Sequence, residues 1–248
     1  MRPRRVQVLQ LPVDAVDREG LLDRVAQLID GGGPATVAYL NVHVANIAHG
    51  DPDLQRFLQG VDLCYCDGSG IRLGARILGE SLPERMTGAD WIWQLAARAE
   101  GRWRLAWVGG EPGVAEAAIA RLQERHPALE ARGWHGYATD AELPAMLAEI
   151  NAYTPQIVLV GMGTPIQERW VSRHRASLTA PVVWCLGATA DFVTGKVSRG
   201  PQWMLDNHLE WLARLIVEPG RLWRRYLVGN PLFLARVLRE RLGQRNAK

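Results

Sequence analysis

The chain has 248 residues, 48% hydrophobic and 22% charged, which is enough for one large domain with a buried core and too apolar for a disordered segment. No run approaches the roughly eighteen apolar residues of a membrane span, and the basic MRPRR start leads into VQVLQLPV, broken by Gln and Pro, so no secretory signal is expected. The net charge of +3 is uneven: residues 196–248 hold eleven Lys/Arg against four Asp/Glu, while the other residues hold eighteen against twenty-two, so the whole basic excess lies in the tail.

In chain order, short β-rich runs alternate with amphipathic stretches. RVQVLQL predicts a strand, and REGLLDRVAQLID a helix that Gly31-Gly32-Gly33 stops. TVAYLN and VDLCYC predict the next strands. WRLAWVGG is another, followed by PGVAEAAIARLQERH, with Pro112 near the first helical position. QIVLVGMG leads into the helical TPIQERWVSRHRASL, and PVVWCLGA closes the series. Apolar strands alternating with helices predict a Rossmann-like parallel sheet covered by helices on both faces, over residues 1–200. Ligands in such folds bind beyond the carboxyl ends of the strands, where Asn41, Asp67, Gly109-Gly110, Gly161-Gly163 and Gly187 should converge. From about residue 201 the pattern becomes two or three helices punctuated by Pro219-Gly220 and Asn230-Pro231, so 201–248 reads as a helical, basic appendage.

The stretch DLCYCDGSGIRLG concentrates the candidate chemistry. Cys64 and Cys66 share a strand face and lack a second ligand pair for zinc, so they read as reduced core residues, like Cys185. The glycines space as Gly68-x-Gly70-x-x-x-Gly74, which is not a dinucleotide fingerprint. Asp67 ends an apolar strand, either as a helix cap or as a general base facing the crevice. In GMGTPIQERW, Thr164 and Gln167 fit a capping box, yet a glycine-flanked helix start also suits phosphate, and VGGEPG repeats that arrangement. Glu84 and Arg85 of LPERMTGADW read as a surface ion pair, and His43 as structural. Six scattered histidines show no ligand spacing, so no metal is expected. In the tail, Arg214, Arg221, Arg224 and Arg225 are interleaved with Trp211, Leu215, Trp223, Tyr226 and Leu227, a mixture suited to an anionic membrane–water interface. No nucleic-acid-binding motif is present.

Six blocks together resemble the WecG/TagA/CpsF glycosyltransferases: LNVHVANIAH, VDLCYCDGSGIRLGARILGESLPERMTGADW, VGGEPGVAEAA, VLVGMGTPIQERWV, CLGATADFVTGKVSRGPQWM and HLEWLARLIVEPGRLWRRY. The resemblance implies an inverting, metal-independent enzyme with no cofactor. It would move a sugar (N-acetylmannosamine, its uronic acid or a hexose such as glucose) from a UDP-sugar to a polyprenyl-diphosphate-linked sugar. It would work at the inner face of the cytoplasmic membrane, in cell-surface polysaccharide synthesis, with self-association left open. By the same resemblance Asp67 is the base, with Asn41, Arg85 and Gln167 beside it. Tyr39 stands where the family has Thr. Gly109, Gly110, Gly161, Gly163, Thr164 and Asp191 fall to substrate binding, and Arg214, Arg221 and Arg224 to the diphosphates and the membrane.

Two other readings compete. A nucleotide-cofactor enzyme of Rossmann type requires an intact glycine fingerprint with an acidic partner, which is lacking. A non-enzymatic lipid- or nucleic-acid-binding module leaves the strand-end carboxylate and the glycine loops unexplained.

Overall fold

The computed structural model describes residues 3–197, 200–201, 203–204 and 209–246. Ser198, Arg199, Gln202 and His208 of the quoted blocks lie outside the described residues.

The first run does not form one strand. RVQVLQLPVD folds into an antiparallel hairpin, β1 (Arg5–Val8) and β2 (Leu11–Asp14), because Leu9 and Gln10 turn the chain at φ 54° and 62°. Neither residue is a usual left-handed turn former, so the turn has no sequence signature. The hairpin covers the edge of the main sheet. Arg5 pairs with both oxygens of buried Asp14 at 2.8 Å, and Asp14 Oδ2 accepts from the Cys64 backbone N–H at 2.7 Å. The hairpin forms its own two-stranded sheet, so that edge is covered rather than extended, which shields it from unwanted pairing.

Helix α1 (Arg18–Asp30) follows, capped by Asp17 and stopped at Gly31 as the glycine run predicts. The main sheet has six parallel strands: β3 (Ala35–Leu40), β4 (Leu63–Cys66), β5 (Leu105–Gly109), β6 (Ala131–Trp134), β7 (Ile157–Gly161) and β8 (Val182–Cys185), in the order β4-β3-β8-β7-β5-β6. This is the α/β class expected. Strand alternation sends Trp107, Ile157, Leu159 and Trp184 to one core and Val108, Val158, Val160 and Cys185 to the other. Both faces are therefore apolar, as covered parallel sheets require. On the first face Trp91 stacks on Trp184 with ring centroids 4.1 Å apart, and Tyr65 meets both rings edge-on.

The connections include α2 (Val42–Ala48) and α3 (Pro52–Gly60) between β3 and β4, then α4 (Ser69–Leu78) and α5 (Gly88–Ala99) after β4. Later come α6 (Val114–Gln123), α7 (Leu143–Ala152), α8 (Ile166–His174) and α9 (Thr189–Val193). Pro112 falls outside α6, whose cap is Gly113 at φ 87°.

The tail holds α10 (Glu210–Val217), α11 (Pro219–Trp223), a π-helical turn (Arg224–Val228) and α12 (Gly229–Asn246). Asn230-Pro231 does not divide it. Pro231 lies within one unbroken helical run, three residues after the π-helical turn, and that local widening of the helix accommodates a residue with no N–H to donate. α12 packs on α2 and α4, burying Phe233 and Val237. Gly74 permits that approach, since a Cβ there would lie 2.8 Å from the Phe233 ring. Among the described residues, no helix is long and apolar enough to cross a membrane.

Candidate active site

The end of β4 builds the site. Asp67 N–H donates to Leu40 carbonyl oxygen at the end of β3, at 2.9 Å. On its other side the ERM segment runs alongside: Met86 N–H donates to Cys66 oxygen at 3.0 Å, and Gly68 N–H donates to Met86 oxygen at 3.3 Å. This short parallel bridge carries Arg85 to the strand end. The segment is held beyond it by buried Met86 and by Asp90, whose Oδ2 accepts from Thr87 N–H at 2.9 Å at the start of α5.

Asp67 does not cap α4. The cap position is Gly68, at φ 87°, and no side chain bonds to that helix start. The carboxylate instead accepts from Asn41 Nδ2 at 2.7 Å. Asn41 is itself fixed, because its Oδ1 accepts from Val44 N–H at 2.9 Å and so caps α2.

These residues line a cavity of about 320 Å³. The sheet side supplies Asn41, Asp67 and Arg85, together with the helix starts Val42–His43 and Ser69–Gly70. The tail closes it with Glu210, Arg214 and Arg225. Arg85 Nη1 meets Glu210 Oε2 at 3.0 Å, with the two side chains 15% and 12% exposed. The predicted surface pair of Glu84 with Arg85 is therefore corrected. Glu84 pairs with Arg18, and the acid that holds Arg85 comes from 125 residues away.

Burial pushes the Asp67 carboxyl up to about 6, against the Asn41 hydrogen bond and the charges of Arg225 and Arg214, with Glu210 adding to the rise. His43 is pushed down to about 4 by burial and by Arg225, so it is neutral near pH 7. Three guanidinium groups then face two carboxyl groups, and two helix N-termini open toward the space. An anionic ligand fits that field.

The other predicted residues gather elsewhere along the same sheet edge. Gln167 is fully buried. Its Nε2 donates to Glu168 Oε1 at 2.8 Å and to Tyr39 Oη at 3.3 Å, and its Oε1 accepts from Gly187 N–H at 2.9 Å. Thr164 does not cap α8, whose cap position is Pro165; its hydroxyl donates to Glu168 Oε1 at 2.8 Å. The capping box is thus replaced by a buried network joining Tyr39, Thr164, Gln167 and Glu168. Burial raises the ordinary values of the Tyr39 and Glu168 side chains.

Glycine placement has a packing cause. A Cβ on Gly109 would lie 2.2 Å from Gly161 oxygen, one on Gly161 3.0 Å from Gly187 oxygen, and one on Gly70 2.3 Å from Val42. Gly110, at φ 73°, presses on Val114 in the same way, whereas Gly163 meets open space. None of Gly109, Gly110, Gly161 and Gly163 lines the cavity around Asp67. Asp191 lies in the first turn of α9, beside Phe192, over whose ring Arg214 sits at 5.1 Å.

Of the three tail arginines singled out, Arg214 reaches the cavity. Arg221 pairs with Glu218, and Arg224 lies over the Trp223 ring. Arg225 takes a place at the cavity, and its Nε is buried without a hydrogen-bond partner among the described residues. The sequence signal for it was its membership of the tail cluster, with nothing to separate it from Arg224. The three cysteines are free and buried, with their thiols raised by burial, which leaves them inert.

Comparison with known proteins bears on the family of the chain. A family model described as glycosyl transferase WecG/TagA/CpsF family matches residues 6–247. The chain is 30% identical over 233 residues to an N-acetylglucosaminyldiphosphoundecaprenol N-acetyl-β-D-mannosaminyltransferase of Bacillus spizizenii, covering 92% of this chain and 89% of that one. It is 29% identical over 208 residues to the protein of the same name in Bacillus subtilis, covering 83% and 80%. The Staphylococcus aureus protein of that name is 24% identical over 216 residues, covering 87% and 81%. The chain belongs to the WecG/TagA/CpsF family of glycosyltransferases.

Proposed function

We propose that the chain transfers N-acetylmannosamine, with inversion, from a UDP-sugar to N-acetylglucosamine carried on a polyprenyl diphosphate, with Asp67 as general base. The observation that carries this reading is the half-buried Asp67 carboxylate, held by Asn41 at 2.7 Å in a cavity that arginines from both the sheet and the tail surround. The relatives' shared name supports the choice of sugar and acceptor.

An acceptor hydroxyl gives its proton to Asp67 as its oxygen forms the bond to C1 of the donor sugar. The bond from C1 to the diphosphate oxygen breaks, and UDP leaves with the electron pair. A base titrating near 6 is ionised at neutral pH yet still basic enough to assist. Arg214, Arg225 and the starts of α2 and α4 oppose the charge that builds on the departing diphosphate. The tail's exposed Ile216, Val217, Trp223, Leu227 and Val228, set among its arginines, suit contact with an anionic membrane surface where the lipid acceptor resides.

The test is transfer from UDP-N-acetylmannosamine to a short-chain prenyl-diphosphate N-acetylglucosamine. The unaltered chain should turn over, with EDTA having little effect. Asp67→Asn should bind UDP but lose turnover by about a thousandfold. Equal turnover by Asp67→Asn would remove the carboxylate from this role.

A further inference from the structure

Arg85 and Glu210 are held to each other from opposite walls of the cavity, at 3.0 Å and nearly out of solvent. Glu210 belongs to the first turn of α10, and Arg85 to the segment bridged to Asp67. A carboxylate oxygen on a guanidinium edge occupies the position that a phosphate oxygen would take, since both bind that fork in the same geometry. The remaining cations, Arg214 and Arg225, face the same space. Resting on the reading of this cavity as the diphosphate-handling site, we propose that Glu210 is a built-in competitor for Arg85: an incoming diphosphate displaces it, and the Arg85 fork passes from protein to substrate.

The exchange has a physical purpose. With Glu210 engaged, Arg85 is neither an unpaired buried charge nor a tight trap for free phosphate. When a diphosphate takes Arg85, the Arg85–Glu210 pair must be given up. That cost is subtracted from binding of the diphosphate product and favours its release. Glu210 is thus a positioning residue that sets affinity rather than one that touches the reacting atoms.

The experiment uses the full chain and inorganic pyrophosphate, followed by calorimetric titration. Glu210→Gln keeps the side-chain size and removes the charge. It should bind pyrophosphate about tenfold tighter than the unaltered chain, a coupling of ordinary size. In an Arg85→Gln background the same substitution should change affinity by less than about twofold, because the competition acts through Arg85. Unchanged or weaker binding in Glu210→Gln overturns the proposal. So does tightening that persists without Arg85, which would mark a general charge effect. If Glu210→Gln does not fold, Glu210→Asp, which keeps the charge but shortens the reach, takes its place: tightening supports the competitor and equal or weaker affinity overturns it. Asp67→Asn separates the two readings. Full transfer by that variant sinks the site itself, whereas its inactivity beside an unimproved Glu210→Gln sinks only the competitor.

Discussion

Asn41 spends its two amide atoms on two different tasks: Oδ1 caps α2 through Val44 N–H at 2.9 Å, and Nδ2 holds Asp67 Oδ2 at 2.7 Å. The cap fixes the amide's orientation, so the Asp67 carboxylate is aimed by the start of a helix. Asn41→Ala should cost about 1 kcal/mol of stability through the lost cap. It should also lower turnover beyond what that loss explains. The Asn41 bond is what most opposes the burial-driven rise of Asp67, with Arg225 and Arg214 acting in the same direction and Glu210 in the other. Without it the acidic limb of the kcat/KM profile should move to higher pH. A profile unmoved beside a lower melting temperature would reduce Asn41 to a cap.

The proposed base, Asp67, carries a cost in stability. Its folded value of about 6 lies above the ordinary carboxylate value of 3.8, so the native state binds the proton more tightly than the unfolded chain does. Stability from this group is present below about pH 4, falls as pH rises toward 6, and stays lost above that. Asp67→Asn should therefore melt higher than the unaltered chain at pH 8, by on the order of 2 kcal/mol, with the gain gone at pH 4. Melting curves at the two pH values check this directly. The same ionisation predicts transfer that rises through about pH 6 as the base loses its proton.

The tail arginines should separate into two classes. Arg214 and Arg225 line the cavity, while Arg221 is paired with Glu218 and Arg224 lies on Trp223. Arg214→Gln and Arg225→Gln should each weaken UDP binding about tenfold, the loss of one charge-assisted contact. Arg221→Gln should change it little, and should act instead on attachment to anionic vesicles. Equal losses at all four positions in a UDP titration would contradict the placement.

How far the sequence alone could reach depends on the range of the interaction. The sheet was legible because TVAYLN, QIVLVGMG and PVVW are apolar on both faces, a local property. Asp67 was legible because it ends such a run. ARGW, which forms β6, was not: it is an edge strand with one buried residue of four, so no pattern marks it. The hairpin turn at Leu9–Gln10 is set by docking, including the bond from Leu9 N–H to Glu240 Oε2 at 2.9 Å. The choice of Arg225 over Arg224 depends on the break at Glu218–Pro219 and on the π-helical turn, which together reset which side of the tail faces inward. Arg85 was found without its partner, because Glu210 approaches only when the tail folds back.

That folding back makes α12 part of the core rather than a loose anchor, and the last prediction follows from it. Phe233 is 1% exposed and sits against Gly74 of α4, the third glycine of the DGSGIRLG stretch. Arg236 reaches Asn46 Oδ1 at 2.7 Å, and Arg241 donates to Leu78 oxygen at 3.1 Å, so polar ties flank the apolar contact. Phe233→Ala should cost about 3–5 kcal/mol, the range for emptying a buried aromatic site. Gly74→Val should be at least as harmful, since its first carbon already meets the ring at 2.8 Å and Phe233 is enclosed. Both variants should lose α12 docking before the sheet melts, seen as early hydrogen exchange in 229–246 and in α4. Because Glu210, Arg214 and Arg225 are carried between the sheet and α12, transfer should fall in both variants even below their melting temperature. A Phe233→Ala chain with native exchange in α4 and full transfer would show that α12 contributes nothing to closing the site.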